Sequence, residues 1–182
     1  MKIYSTRHGQ TEFNRRDIIL GTTDIELNEK GREQAEELAE RAAALGDIDV
    51  IIASPMKRAM QTAQMTADRL GMDIITDERL REWDYGEYEQ MPRFTDGFAW
   101  NKENFGVRMG KTGESLLQLS HRVFSALDDI KEKYRGKNVL IVSHGGVCRV
   151  IEMYFNDMTT EKFSGWFMEN CQIIEYDITE QE

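Results

Sequence analysis

Apolar residues along the chain follow two alternating patterns. Short apolar runs occupy residues 2–6, 49–54 (DVIIAS), 73–76 (DIIT), 138–143 (NVLIVS) and 171–178 (CQIIEYDI), and each predicts a strand. Between them the apolar positions recur at helical spacing. Ala35, Leu38, Ala39, Ala42 and Leu45 form one stripe within residues 28–45, and Met56, Met60, Ala63, Ala67 and Leu70 form another within 54–70. Leu116, Leu119, Val123, Leu127, Ile130 and Tyr134 form a third within 116–134, and a helix over 145–155 follows the fourth strand directly. Ser54 followed by Pro55 reads as an N-cap and first turn, and Gly71 as a stop. Strands separated by helices imply crossover connections. The expected architecture is an α/β three-layer sandwich, a mostly parallel central sheet with helices on both faces.

Residues 84–113 break the pattern. Tyr85, Tyr88, Phe94, Phe98, Trp100 and Phe105 are scattered there without a clear period. This stretch is expected to be a partly helical excursion covering one end of the sheet, within a single domain spanning residues 1–182.

A parallel α/β sheet binds ligands outside the carboxyl ends of its strands. The first strand ends in Arg7-His8-Gly9, the second in Ser54-Pro55-Met56-Lys57-Arg58, and the fourth in His144-Gly145-Gly146. Two of the three histidines and two arginines therefore reach one edge. Arg58 lies in the first turn of its helix, where a long side chain leans back over the sheet. The helix starting at Gly145 offers unpaired N–H groups and the positive end of its dipole, and glycines let a ligand approach that backbone. The set suits a compact anion such as phosphate, whose oxygens arginine forks engage in pairs. A neutral His8 beside arginines is a nucleophile for phosphoryl transfer. Glu82, next to Trp83, is a candidate proton donor for a leaving oxygen, since an aromatic wall can keep an acid protonated near neutral pH.

Composition narrows the partners. A formal net charge of −10 argues against nucleic acid, while leaving room for a locally positive pocket that takes a small phosphorylated metabolite. Cys148 and Cys171 stand in no metal-ligand spacing and are expected as free thiols. No apolar run approaches the ~18 residues that span a membrane, and no signal pattern opens the chain, so a cytoplasmic protein without a membrane partner is expected. No feature of the sequence assigns an oligomeric state. His121 falls on a polar helix face and is expected to be exposed. Gly106-Val107-Arg108-Met109-Gly110-Lys111-Thr112 imitates a nucleotide P-loop, but has three residues between its glycines where the motif needs four, and no strand precedes it. Asp47-Ile48-Asp49 precedes a strand, the wrong side for an aspartyl-phosphate enzyme.

Ordered blocks along the chain carry a family resemblance. Arg7-His8-Gly9-Gln10-Thr11-Glu12-Phe13-Asn14 resembles the signature of the histidine phosphatase superfamily, the phosphoglycerate mutase-like proteins. The segment from Gly21-Thr22-Thr23-Asp24 to Gly31, the block Ser54-Pro55-Met56-Lys57-Arg58-Ala59, residues 80–89, Gly113-Glu114-Ser115 and Val142-Ser143-His144-Gly145-Gly146 are similar to its later blocks. The resemblance implies a phosphohistidine on His8, with Arg7, Arg58 and His144 holding the phosphoryl group. It implies that Thr11, Asn14, Gly21 and the Gly145 amide complete the phosphate site, that Glu82 donates the proton, and that no metal or other cofactor takes part. Residues 82–89 look more like the phosphatase branch than the mutases. A mutase-type phosphotransferase and a non-catalytic phospho-ligand binder are the alternatives. Gln90 stands where that branch often has glycine, and Lys111-Thr112 precede Gly113 where Pro-Gly is usual. Arg93, Lys102, Arg108 and Lys111 in the cover are candidates to meet a second negative group or to remain solvated.

Overall fold

The computed structural model describes residues 1–178; the last four residues of the expected domain lie outside them. In chain order the elements are β1 (Lys2–Arg7), α1 (Glu12–Arg15), α2 (Glu29–Leu45), β2 (Val50–Ala53), α3 (Lys57–Leu70), β3 (Ile74–Thr76), α4 (Phe98–Glu103), α5 (Leu116–Lys133), β4 (Val139–Ser143), α6 (Gly145–Phe155), α7 (Thr160–Gly165) and β5 (Ile173–Asp177). The strands form one sheet in the order β3-β2-β4-β1-β5. The first four are mutually parallel, and β5 lies antiparallel against β1.

The apolar runs are continuous because both faces of the sheet are covered. Successive strand residues point to opposite faces. Ile3, Ile52, Val139 and Ile141 pack with Leu119, Val123 and Leu127 of α5 and Val150 of α6. Their neighbours Tyr4, Ile51, Leu140 and Val142 pack with Ala59, Ala63 and Ala67 of α3, and α2 lies against α3 outside this layer. Register then fixes the site. Arg7 of β1 pairs with Ser143 of β4, so the two central strands end level and deliver His8 and His144 side by side.

One helix boundary differs from expectation. The helix after β2 starts at Lys57, with Met56 at the N-cap and no side-chain cap. Ser54 lies two residues before the cap, where its hydroxyl accepts the Met56 N–H at 3.4 Å and stands 2.8 Å from His144 Nε2. Gly71 ends the helix with φ 66°. Residues 84–113 contain a 3₁₀ turn at Gly86–Tyr88 and α4. There Phe98 is buried with Tyr85 and Tyr88 edge-on at 5.4 and 5.5 Å, while Phe94, Trp100 and Phe105 are exposed. Both cysteines are buried and free, and His121 is exposed. Among the described residues no helix is long and apolar enough to cross a membrane.

Candidate active site at the strand ends

His8 is 2% exposed. Its Nδ1 lies 2.7 Å from the Gly9 carbonyl oxygen. A carbonyl only accepts, so Nδ1 carries the hydrogen and Nε2 keeps its lone pair. Arg58 Nε lies 3.2 Å from that Nε2 and 3.2 Å from His144 Nδ1, sharing one N–H between two imidazoles. His144 Nδ1 is then also an acceptor, and its Nε2–H donates to Ser54 Oγ. Burial, followed by the Arg58 and Arg7 guanidiniums, holds His8 well below the usual histidine pKa. Burial and then Arg58 do the same for His144. Both imidazoles are neutral at neutral pH, and their ring centroids are 5.1 Å apart.

Each Nη of Arg58 also donates within the protein, Nη1 to the Thr23 carbonyl at 2.9 Å and Nη2 to the Gly21 carbonyl at 2.8 Å. Arg7 is different. Its Nη1 donates to the Met168 carbonyl at 2.9 Å and its guanidinium lies over the Phe167 ring, but its buried Nε has no partner. Arg7 runs beside Gly145 at the start of α6, where a Cβ would meet Nε at 3.6 Å. An unpaired buried donor next to a helix N-terminus suits an anion, since burying such a donor unmatched costs ~1–3 kcal/mol.

Glu82 stands across the α6 terminus and is 6% exposed. Its carboxylate accepts the Trp83 N–H at 2.8 Å, and the Gly146 N–H bridges both its oxygens at 3.1 and 3.2 Å. A Cβ on Gly146 would come within 2.6 Å of Glu82 Oε1, so only glycine allows this approach. Behind Glu82, Arg122 of α5 donates to the carbonyls of Arg79, Arg81 and Glu82, and pairs in a fork with Glu114 at 2.7 and 2.8 Å.

Arg7, His8, Asn14, Glu82 and Gly145 line one narrow cleft of about 50 Å³, together with Tyr85, Arg93, Lys102, Gly146, Arg149 and apolar neighbours. Arg58 and His144 do not reach its wall; they back His8 from within. Thr11 is fully buried and exchanges bonds with Asn14, its hydroxyl accepting the Asn14 N–H and its own N–H donating to Asn14 Oδ1. Gly21 accepts from Arg58 through its carbonyl and sits behind Leu20 and Tyr85 without lining the cleft itself. Among the described residues, no group of three or more His, Cys, Asp or Glu side chains could hold a metal ion. Sequence reasoning did not find Ser54, Tyr85, Arg122 or Arg149. Arg122 had one available signal, its place on the helix opened by the Gly113-Glu114-Ser115 block.

A protein with this sheet order, and with two neutral histidines and two arginines gathered at its strand ends, is an α/β protein whose strand-end cleft suits an anion. The chain belongs to the histidine phosphatase superfamily, branch 1, whose family model matches residues 3–182. It is 42% identical over 153 residues to the "Probable phosphoglycerate mutase GpmB" of Enterobacter sp. (strain 638), covering 80% of this chain and 70% of that protein. Among solved structures, YhfR of Bacillus stearothermophilus superposes with a TM-score of 0.87 at 29% identity, covering 98% of this chain and 92% of that one. The phosphoserine phosphatase of Entamoeba histolytica, solved in complex with 3-phosphoglyceric acid, superposes with a TM-score of 0.84 at 27% identity, covering 96% and 89%.

Proposed function

We propose that the protein hydrolyses a small phosphomonoester through a phosphohistidine on His8, without a metal. The observation that carries this reading is the neutral His8 with its hydrogen fixed on Nδ1, beside the unpaired Nε of Arg7 and the N-terminus of α6. The phosphoryl oxygens would take the Arg7 Nε–H and the Gly145 amide, with Asn14 at the rim. As substrate arrives, the shared Arg58 N–H rests on His144 Nδ1 and frees His8 Nε2. Glu82 enters the step protonated: the Nε2 lone pair attacks phosphorus, the bond from phosphorus to the ester oxygen breaks, and Glu82 passes its proton to that oxygen and becomes a carboxylate. Glu82 then takes a proton from water, whose oxygen attacks phosphorus as the P–N bond breaks and returns its electrons to His8. Arg58, pushed down to about 10 by burial, remains a cation throughout. Two buried free thiols suit a reducing compartment, and we place the protein in the cytoplasm.

The Entamoeba phosphatase supports hydrolysis. The mutase name of the Enterobacter relative favours a second reading, transfer of the phosphoryl group from His8 to an organic acceptor. Rapid quenching during turnover of p-nitrophenyl phosphate should trap an acid-labile phosphate on the peptide that contains His8. His8→Ala should abolish both adduct and turnover, and a chelator should leave the rate unchanged. Turnover by the alanine variant would refute the covalent route. Release of phosphate slower than its passage to added glycerate would select the second reading.

A further inference from the structure

His8 is held by more than its ring. Two consecutive peptides follow it, and side chains from distant parts of the chain grip both. In the His8–Gly9 peptide the carbonyl accepts from Asn170 Nδ2 at 2.7 Å, and the Gly9 N–H donates to Thr62 Oγ1 at 3.0 Å. The Thr62 hydroxyl donates onward to the Arg58 carbonyl at 2.8 Å, which ties the loop to the helix that carries Arg58. In the Gly9–Gln10 peptide the N–H donates to Gln34 Oε1 at 2.9 Å. The carbonyl of that same peptide takes the His8 Nδ1–H at 2.7 Å.

A trans peptide is planar, with its N–H and C=O pointing opposite ways. Fixing the Gln10 N–H on Gln34 therefore aims the Gly9 carbonyl. Fixing the His8 carbonyl on Asn170 holds the backbone from which the imidazole springs. There is little slack on the α2 side, where a Cβ on Gly9 would meet the Gly31 carbonyl oxygen at 2.3 Å. Asn170 is itself anchored through the next residue. Cys171 donates its N–H to the Arg7 carbonyl at 2.8 Å, and its own carbonyl accepts from Arg41 Nη2 at 2.7 Å. Cys171 has φ 59°, a left-handed backbone that a residue with a side chain keeps only where its surroundings impose it.

The hydrogen bond made by one ring nitrogen decides which nitrogen of a neutral imidazole keeps the lone pair. In the free enzyme the shared Arg58 N–H also favours a lone pair on Nε2. Once that N–H turns to His144, the Gly9 carbonyl is what holds the hydrogen on Nδ1. We propose that Asn170 and Gln34 are positioning residues for the nucleophile, keeping His8 in its attacking orientation and tautomer through the two peptides on either side of Gly9. The inference rests on the phosphohistidine reading, from which ring spectroscopy separates it.

With isotopically labelled histidine, the His8 Nδ1–H should give a slowly exchanging proton resonance, told apart by its ring couplings from the Nε2–H of His144. Asn170→Leu and Gln34→Met keep side-chain bulk and remove the bonding atom. Each should speed exchange of that proton by at least about tenfold, the value of one lost hydrogen bond. Each should also lower kcat for p-nitrophenyl phosphate by at least about tenfold with KM within about threefold of wild type, since the phosphate ligands are untouched. Gln34→Glu restores an acceptor for the Gln10 N–H and should bring both readings back to within about threefold of wild type. Leu38→Ala is the control. That residue is fully buried one turn further along α2, so its truncation should lower Tm without speeding the exchange. Unchanged exchange in both variants, or a kcat within about twofold of wild type in both, overturns the proposal. So does fast exchange in Leu38→Ala, or a Gln34→Glu variant no better than Gln34→Met. If one of the two variants fails to fold, the other decides. If the wild type hydrolyses no ester, the phosphohistidine reading fails, and the exchange rates alone decide the positioning.

Discussion

Replacing Arg122 with methionine tests whether the placement of Glu82 depends on one guanidinium. The side chain makes two bonds to the Glu114 carboxylate and three to the backbone carbonyls of Arg79, Arg81 and Glu82, at 2.6 to 3.0 Å. Methionine keeps the stem and removes all five donors. Glu114 then loses its counter-ion, and three carbonyls of one loop lose their donor. Breaking a buried ion pair costs about 3–5 kcal/mol. The two side chains here are 20% and 23% exposed, so the low end applies, about 3 kcal/mol. For a chain of 182 residues that lowers Tm by roughly 6–12 °C. Glu82 keeps its own amide bonds from Trp83 and Gly146 but loses the clamp on its carbonyl. A shift of about 1 Å at an acid–base group reduces kcat by on the order of 10²-fold. KM should change little, because Arg7 and the start of α6 are untouched. Lysine should not rescue, since an ammonium cannot reproduce the fork. Leu127→Ala supplies the control. That residue is fully buried in α5, and its truncation costs about 2–5 kcal/mol. It should lower Tm comparably while leaving kcat near wild type well below the melting transition. An Arg122→Met enzyme with kcat within about twofold of wild type would refute the positioning argument.

Two further outcomes follow from the same coordinates. Burial and the neighbouring guanidiniums lower the pKa of His8 and His144 in the folded protein, so their contribution to stability is present above the unfolded value of about 6.5 and is lost as pH falls below it. In urea titrations the wild-type slope should steepen by up to about 1.4 kcal/mol per pH unit per histidine relative to a His8→Gln/His144→Gln variant; parallel pH profiles would show that the imidazoles protonate freely in the fold. Gln90 has φ 64°, a left-handed backbone that costs a side chain about 1–2 kcal/mol and costs glycine none. After glycine's extra chain entropy of roughly 0.5–1 kcal/mol is subtracted, Gln90→Gly should raise unfolding stability by up to about 1.5 kcal/mol. A loss of stability on chemical denaturation would mean that the weak bond from Gln90 to Thr23 outweighs the backbone strain.

The central part of the site was legible because strand ends are marked twice in the sequence. An apolar run stops, and polar residues of a particular kind follow it. That rule found Arg7, His8, His144 and Gly145 without knowledge of any contact, since the parallel register alone brings β1 and β4 to one level. It could not tell that Ser54 meets His144, because a serine before a helix carries the same letters whether it caps the helix or faces a buried imidazole. It could not separate Arg93 and Lys102 from Arg108 and Lys111 either. Those four share one irregular segment, and only the path of the cover decides which point into the cleft and which reach Glu87 or the Gly113 carbonyl. Arg122 was hidden for a related reason. On a helical wheel it is another charged residue, and its function depends on three carbonyls about forty residues earlier in the chain. Local pattern thus reaches the groups fixed by strand register, while Glu82 and the cover residues that line the cleft are fixed by loops. In this protein the proposed nucleophile is fixed by strand register and the proposed proton donor by a loop, so a variant such as Arg122→Met, which loosens that loop, should impair proton transfer before it impairs phosphate binding.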